Sequence, residues 1–276
     1  MKYEKIRKQV LDAILEAVEQ GLIKGTSGNI ALRDDEDDVV AITPSGIPYK
    51  GMTVEDIAIV DLNGKWLEGN YKPSSEVPMH TAVLRARPDV KATVHTHAMY
   101  ATIMAMGDDA ELKPITPPQC EFVPVGIVPF TMPGSDEVAD KVVEALGENG
   151  RAVLIKNHGM FCCGKNMKAA MAATEYTEEM ALTTIYAKLL GTYEPMPEEG
   201  VKKMKELILA TTNQGKLKEI KAMLKDIDIN VLSMKDVLDQ EIDIEETGTS
   251  FKENALIKAS TIAKIVNKPV LADDSG

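Results

Sequence analysis

Apolar residues recur at helix and strand spacings along the first 200 residues. Ile6, Val10, Ile14 and Val18 lie four residues apart and so share one face of a helix, which predicts an amphipathic helix that ends near Gly21. Short apolar runs rich in β-branched residues are typical of strands. The remaining patterns predict strands at 30–32, 39–42, 92–97, 123–130 and 152–155, and helices at 76–87, 100–106, 136–146 and 166–190.

The pattern begins again after residue 200. Proline, glycine and acidic residues at 194–200 are typical of a linker. An apolar strand at 207–211, a polar loop at 212–216 and a helix at 217–224 follow. We therefore predict two domains, 1–200 and 207–276, joined by a linker at 201–206.

Composition places the chain among globular proteins. Of its 276 residues, 44% are hydrophobic and 27% are charged, which is enough for a sizeable core. A net charge of -12 argues against general affinity for nucleic acid or anionic membranes. No apolar run approaches the roughly 20 residues of a membrane span. Cys120, Cys162 and Cys163 lack the spacing of a disulfide framework or a structural zinc site, so we expect a reducing cytoplasm.

Two histidines at the end of a strand are the first candidate for chemistry. His95 and His97 end the run ATVHTH, and strand side chains at i and i+2 project from one face, so both imidazoles can reach one metal ion. Solvation or packing is the alternative. The chain has four histidines, and the other two also lie in motif-like surroundings, His80 in SSEVPMH and His158 in NHG.

Three polar turns in the first third of the chain are typical of an anion site. They are GTSGN at 25–29, TPSG at 43–46 and SSE at 74–76. Glycine lets the backbone approach an anion, and amides and hydroxyls donate hydrogen bonds to phosphate oxygens. Each turn alone is also explained as an ordinary loop, and Ser75 as the cap of the helix that follows. Together they predict a shared phosphate site.

GTSGN, TPSG, PSSE, HTH and NHG, in this order, resemble the class II aldolase/adducin family, and most closely its L-fuculose-1-phosphate aldolases. The resemblance covers residues 1 to about 200. It implies an α/β/α domain with a mainly antiparallel sheet, a bound zinc ion and a homotetramer with active sites between subunits. The substrate it implies is a sugar phosphate.

The resemblance also assigns roles to residues. His95, His97 and His158 match the zinc ligands, and Glu76 matches the catalytic glutamate beside the metal. Three protein ligands leave a position open for substrate, as catalytic zinc requires. The phosphate-binding positions of the family correspond to Gly28, Asn29, Ser45, Gly46, Ser74 and Ser75.

The implied reaction is cleavage of a ketose 1-phosphate to dihydroxyacetone phosphate and an aldehyde, with zinc stabilising the enediolate charge. Related epimerases typically carry aspartate at the position of Glu76, which favours the aldolase branch. The family's interface tyrosine is missing from the segment 113–120, and Tyr193 is a weak replacement, so the aldehyde stays open. The alternatives are a methylthioribulose-phosphate dehydratase, a pentulose-phosphate epimerase or an adducin-like interaction module without catalysis.

The last 70 residues resemble a second family. TNQGK, EETGTSFKENA and ADDSG match, in order, the N-terminal part of the inosine triphosphatase family of pyrophosphatases, which use Mg²⁺. The resemblance gives phosphate contacts to Asn213 and Lys216, and magnesium to Glu246 and Asp274, with Asp274 activating water and Ser275 next to it.

This second segment is an incomplete α/β domain by comparison with that family. We therefore expect no pyrophosphatase activity from this polypeptide, and we expect the segment to be the less stable part, because a small unit buries little surface. The sequence is compatible with a natural fusion and with a fragment.

Overall fold

A computed structural model of the chain describes residues 2–107, 110–211, 213–224, 229–238, 242, 244 and 247–273. The chain forms two compact units, Met1–Pro195 and Met196–Gly276. Among the described residues no helix is long and apolar enough to span a bilayer.

The first unit is built on an eight-stranded sheet. Its order is β4-β3-β2-β1-β5-β8-β7-β6, and every neighbouring pair is antiparallel except β6 and β7. The strands are β1 (Gly28–Arg33), β2 (Val39–Ile42), β3 (Ala58–Asp61), β4 (Trp66–Glu68), β5 (Ala92–Thr96), β6 (Gly126–Val128), β7 (Ala152–Ile155) and β8 (Gly159–Gly164).

Helices cover both faces of this sheet. They are α1 (Glu4–Glu19), α2 (Val77–Ala86), α3 (Met99–Ala105), α4 (Asp136–Leu146) and α5 (Met167–Leu190). Because strand side chains alternate, Ile30 and Leu32 of β1 join the core under α1, α3 and α5, whereas Ala31 joins the core under α2 and α4. The predicted α/β/α architecture with a mainly antiparallel sheet is confirmed.

One predicted strand is much shorter than expected. The segment 123–130 contributes only the three-residue strand β6, and a 3₁₀ helix, Pro117–Phe122, lies directly before the segment. The side-chain oxygen of Gln119 accepts hydrogen bonds from the amides of Ile115 and Thr116, at 2.8 and 3.2 Å, and so closes the first turn of this helix. The segment 113–120 therefore has more regular structure than its prolines indicate.

The second unit has a small parallel sheet in the order β10-β9-β11. Its elements are α6 (Glu198–Met204), β9 (Glu206–Leu209), α7 (Gln214–Met223), β10 (Asn230–Ser233), α8 (Met234–Val237), α9 (Phe251–Val266) and β11 (Val270–Leu271). Residues 201–206, the predicted linker, lie mostly in α6. In the described part of this unit, the buried hydrophobic cluster consists of Ile208, Ala210 and Ile262. So small a core agrees with the lower stability expected of this unit.

Candidate active site

Three elements meet at one end of the central strands of the eight-stranded sheet. Gly28 pairs with Thr96, and Asn29 pairs with His95, so the beginning of β1 lies beside the end of β5. By strand alternation, the Asn29 and His95 side chains project to the face that α2 covers. Glu76 is the N-cap residue of α2, and its carboxylate contacts Asn29 at the beginning of β1. The topology thus brings together residues from three distant parts of the chain.

The histidines of the HTH and NHG motifs form one cluster. Among the described residues, the candidate metal ligands grouped together are His95, His97 and His158, whose ligand atoms lie within 4.8 Å of one another. The Nε2 atoms of His95 and His97 are 3.1 Å apart. The His158 ring centroid lies 4.7 Å from that of His95 and 5.0 Å from that of His97. His97 is the exposed member of the cluster, so its open side is toward solvent.

The tautomer of His95 is fixed by the backbone. Its Nδ1 lies 2.8 Å from the carbonyl oxygen of Met160, and a carbonyl only accepts, so Nδ1 carries the proton. The Nε2 lone pair is then directed toward the other two histidines. A hydrogen bond of this kind orients histidines that bind metals.

The carboxylate of Glu76 lies against two of the three imidazoles. Its Oε2 is 3.2 Å from Nε2 of His95, and its Oε1 is 3.2 Å from Nε2 of His158. Asn29 Nδ2 donates to Oε2 at 2.9 Å. Glu76 is 7% exposed and His95 is fully buried. The site therefore combines three nitrogen donors with one buried carboxylate.

The electrostatics favour an anionic Glu76 and a neutral His95. Burial acts to raise the pKa of Glu76, but hydrogen bonding with His158, the neighbouring His95 and the Asn29 amide outweigh it, so the pKa lies well below its ordinary value. Burial is the main cause that lowers the pKa of His95 to about 4. A neutral imidazole is the form that binds a metal.

Backbone hydrogen bonds connect the polar turns at 43–46 and 74–76. The Ser45 amide donates to the Lys72 carbonyl at 2.9 Å, and the Ser74 amide donates to the Thr43 carbonyl at 3.0 Å. These two bonds join the loops that contain TPSG and SSE. The amide of Thr43 donates to the carbonyl of Ile30 at 3.1 Å. Ile30 directly follows the GTSGN turn, so the three turns lie close together.

The structure also addresses the alternative role of Ser75. Helix α2 has Glu76 as its N-cap and no side-chain capping bond, while the Glu76 amide donates to Ser74 Oγ at 3.2 Å. Ser75 is exposed. Ser75 therefore does not cap α2, and its side chain is accessible to solvent. Gly46, with a φ of +68°, forms the turn beside Ser45.

Two residues that the sequence did not assign also support the site. Tyr49 is buried, and its hydroxyl donates to the Gly28 carbonyl at 2.5 Å. Burial and the nearby Glu76 charge raise the pKa of Tyr49 to about 12, so the phenol stays a donor. His80, which the sequence singled out without a role, lies 2.5 Å from Asn29 through Nε2 and Oδ1. The packing of α2 on the sheet decides the His80 contact, Tyr49 lies in the loop after β2, and no local motif predicts either contact.

Gly28 is expected to be intolerant of a side chain. Its φ is +131°, and a Cβ there lies 2.9 Å from the Ile23 side chain and 3.0 Å from the His95 carbonyl oxygen. We expect Gly28→Ala to lower the free energy of unfolding by more than about 2 kcal/mol, since backbone strain alone costs about 1–3 kcal/mol. Gly25→Ala is the matched control, because Gly25 has a φ of +62° but no atom within 4 Å of its Cβ. Urea unfolding measures both, and equal losses would contradict the steric argument.

The residues predicted for the second unit are described only in part. Asn213 caps α7, because its side-chain oxygen accepts from the amides of Gly215 and Lys216 at 2.8 and 3.3 Å. Lys216 Nζ lies 3.0 Å from Asp273 Oδ2. The remaining predicted residues, Glu246, Asp274 and Ser275, lie outside the described residues.

Comparison with known proteins decides the family. The model of the class II aldolase and adducin N-terminal domain matches residues 8–185. The chain belongs to this family. A second model, that of the Ham1 family, matches residues 207–276. The chain thus joins a class II aldolase domain to a Ham1-family segment, as the two sets of motifs predict.

Three relatives in this family align with this chain over 83% to 96% of their own lengths. The 5-deoxy-D-ribulose 1-phosphate aldolase of Bacillus thuringiensis serovar kurstaki is 36% identical over 201 residues, which are 72% of this chain and 93% of that protein. The L-ribulose-5-phosphate 4-epimerase of Salmonella paratyphi B is 31% identical over 191 residues, which are 64% and 83%. The solved structure of an L-fuculose 1-phosphate aldolase matches with a TM-score of 0.68 and 32% identity, over 74% of this chain and 96% of that one.

These relatives are enzymes, and class II aldolases depend on a metal ion, which agrees with the three-histidine cluster of this chain. The family membership therefore confirms the prediction of a metal-dependent enzyme. It leaves the metal and the substrate to be inferred from the site.

Proposed function

We propose that the first unit is a zinc-dependent aldolase that cleaves a ketose 1-phosphate to dihydroxyacetone phosphate and an aldehyde. The observation that carries this proposal is the Glu76 carboxylate, which lies 3.2 Å from Nε2 of both His95 and His158 in a cluster of three histidines. Support also comes from aldolase relatives of two kinds, which act on 5-deoxy-D-ribulose 1-phosphate and L-fuculose phosphate.

The donor set fits zinc. Two nitrogens that bind one tetrahedral zinc at 2.0–2.1 Å lie about 3.3 Å apart, close to the 3.1 Å between the His95 and His97 Nε2 atoms. Nitrogen and carboxylate donors are ligands that zinc accepts. His95, His97 and His158, with Glu76 beside them, would hold the ion. When bound, zinc stabilises the negative charge that develops on substrate oxygens during carbon-carbon cleavage.

The protein residues then have separate tasks. We assign the phosphate to the amides and hydroxyls of the joined loops, at Gly28, Asn29, Ser45, Gly46, Ser74 and Ser75. Fixing the phosphate orients the bond between C3 and C4 of the ketose relative to Glu76, and orientation of this kind is a large part of catalysis.

Glu76 is proposed to move the proton at C3. The bond between C3 and C4 breaks, the C4 hydroxyl loses its proton and becomes the aldehyde, and C3 gains a proton to give dihydroxyacetone phosphate. A buried carboxylate beside a metal site is suited to this general acid and base role. In the condensation direction the same group takes the C3 proton away.

Two other reactions would use the same site. An epimerase relative shows that the fold also accommodates pentulose phosphates, and a dehydratase would act on a thioribulose phosphate. Glutamate at position 76, where the related epimerases typically have aspartate, favours cleavage. An adducin-like module without catalysis has no need of the buried carboxylate against the histidines.

A substrate panel tests the proposal. The zinc-loaded full chain is expected to release dihydroxyacetone phosphate from at least one of L-fuculose, L-rhamnulose and 5-deoxy-D-ribulose 1-phosphate, detected by a coupled triose phosphate assay. Conversion of L-ribulose 5-phosphate without triose phosphate would support the epimerase instead. Inosine triphosphate with Mg²⁺ belongs in the panel because we expect the Ham1-family segment of this polypeptide to be inactive, and its hydrolysis would contradict that expectation.

We further infer a homotetramer in the cytoplasm. Support for assembly comes from α3, where Met99, Ile103 and Met106 are 50%, 43% and 54% exposed directly after His97. Apolar side chains grouped on one exposed helix face are typical of an interface. A second subunit on this surface would lie at the open side of the histidine cluster.

A further inference from the structure

Asn29 has to present one particular end of its amide to the site. Glu76 as a carboxylate has only acceptor oxygens, so the group 2.9 Å from its Oε2 must be the Nδ2 donor of Asn29. The Oδ1 of Asn29 therefore is directed away from Glu76. A rotation of the amide by 180° would place this oxygen against the carboxylate, which is a repulsive contact.

The same argument identifies which nitrogen of His80 carries the proton. His80 Nε2 lies 2.5 Å from Asn29 Oδ1, and because this oxygen only accepts, Nε2 carries the proton of the imidazole. Nδ1 of a neutral ring is then an acceptor. It lies 2.6 Å from Thr93 Oγ1, so the Thr93 hydroxyl donates. The result is a chain of hydrogen bonds with one direction, from Thr93 through His80 and Asn29 to Glu76.

Burial makes this direction strict. His80 and Thr93 are 0% exposed, and Asn29 is 6% exposed. A buried polar atom that loses its partner has no water to replace it, so no member of the chain can reverse alone. Burial also lowers the pKa of His80 to about 3, so the ring remains neutral under ordinary conditions.

The chain connects three elements. Thr93 lies on β5, Asn29 lies on β1, and His80 lies on α2 one turn after Glu76. Both ring nitrogens of His80 are engaged, by Asn29 Oδ1 and Thr93 Oγ1, so neither is available to a bound substrate or ion. Its influence on the site therefore passes through the Asn29 amide.

We propose that His80 is a positioning residue, which holds the Asn29 amide with its Nδ2 toward Glu76 and thereby fixes the carboxylate for metal binding and proton transfer. The part of this proposal that concerns proton transfer rests on the proposed aldolase function. The competing explanation is that His80 only fills the core, where its ring centroid lies 5.2 Å from that of Phe161.

A matched pair of substitutions separates the two roles. Glutamine in His80→Gln keeps an N–H donor near the position of Nε2, whereas methionine in His80→Met has a similar length and volume without a donor. We expect His80→Met to lower zinc affinity and kcat each by about 10–100-fold, the usual effect of losing a partner in the outer shell of a metal site. KM should change by less than about 2-fold, and His80→Gln should stay within about 3-fold of the parent.

Equal zinc affinity and equal kcat in the two variants would overturn the proposal, because core filling affects both alike. Thermal unfolding by circular dichroism shows whether each variant is folded. Thr93→Val is the second variant, since it leaves His80 in place and removes only the donor at the far end. We expect it to lower zinc affinity by about 3–10-fold, and no loss at all would count against a directional chain.

The proton on His80 can be observed without any reaction. In the metal-free full chain labelled with ¹⁵N-histidine, long-range ¹H–¹⁵N correlations should show the Nε2–H tautomer of His80, with a ring proton in slow exchange with water. An Nδ1–H tautomer would overturn the proposal. If the parent enzyme cleaves none of the panel substrates while this tautomer and the zinc effect are found, the aldolase function fails and the positioning role stands.

Discussion

Replacing Glu76 with glutamine should lower kcat for ketose 1-phosphate cleavage by about 10²–10⁴-fold, the usual contribution of a positioned general acid or base. The change keeps the shape of the side chain and removes both the charge and the ability to hold a proton. Asn29 Nδ2, at 2.9 Å, still finds an acceptor in the amide oxygen, so the local hydrogen bonds can be retained. The loss should therefore appear in kcat much more than in KM.

Zinc content distinguishes the two tasks that we assign to Glu76. If the variant binds one zinc per chain at saturating metal and is slow, the carboxylate acts mainly on the proton. If zinc is lost together with activity, it acts mainly as a ligand. Glu137→Gln is the matched control, because Glu137 lies at the start of a helix, as Glu76 does, but is exposed, with only a surface ion pair to Lys141 at 2.6 Å. A kcat for Glu76→Gln within about 3-fold of the control would contradict the assignment, because a general acid or base contributes at least 100-fold.

Much of this fold follows from local pattern. The period of apolar residues predicts helices at 136–146 and 166–190, and the structure has Asp136–Leu146 and Met167–Leu190. Both helices begin at residues that cap them, since the side chains of Ser135 and Asn166 accept amide hydrogen bonds. Local signals of this kind fix helix limits well because the capping bond is made within a few residues.

Two strands that the sequence pattern does not predict form a hairpin close in sequence. Strands β3 and β4 were missed, although the turn Asn63-Gly64 between them is a hairpin signal and the Asp61 carboxylate accepts the Asn63 and Lys65 amides at 2.8 and 2.9 Å. A three-residue strand such as β4, with every residue exposed, has too little apolar pattern to be recognised.

The candidate site also contains residues that local spacing predicts and residues that it does not. Spacing alone predicts that His95 and His97 share a face, because they lie at positions i and i+2 of one predicted strand. Nothing local indicates that His158 joins them, and only the ordered motifs of the family pointed to it. His80 could not be assigned because its role depends on how α2 packs over β1 and β5, which no motif records. The sequence therefore predicts residues that would touch substrate or metal better than residues that support them.

The exposed histidine offers the cleanest test of the metal site. His97 is the exposed member of the cluster, whereas His95 and His158 are buried, with exposures of 0% and 8%. Removing a buried imidazole opens a cavity as well as a ligand position, so its effect on zinc is mixed with an effect on folding. His97→Ala avoids this difficulty. We expect it to weaken zinc binding by more than about 100-fold, beyond the upper end of what outer-shell partners contribute.

The measurement is a chelator competition on the full chain, with zinc content determined at each free metal concentration. Activity at limiting zinc should fall in parallel, and excess zinc should restore part of it, because two imidazoles and Glu76 remain. Leu67→Ala is the control, since Leu67 is 46% exposed on the edge strand β4 and carries no ligand atom. Unchanged zinc affinity in His97→Ala would mean that the three histidines do not share one ion. Zinc bound by His95 and His158 would then have Glu76 as its third protein ligand, so Glu76 would coordinate the ion rather than transfer the proton at C3.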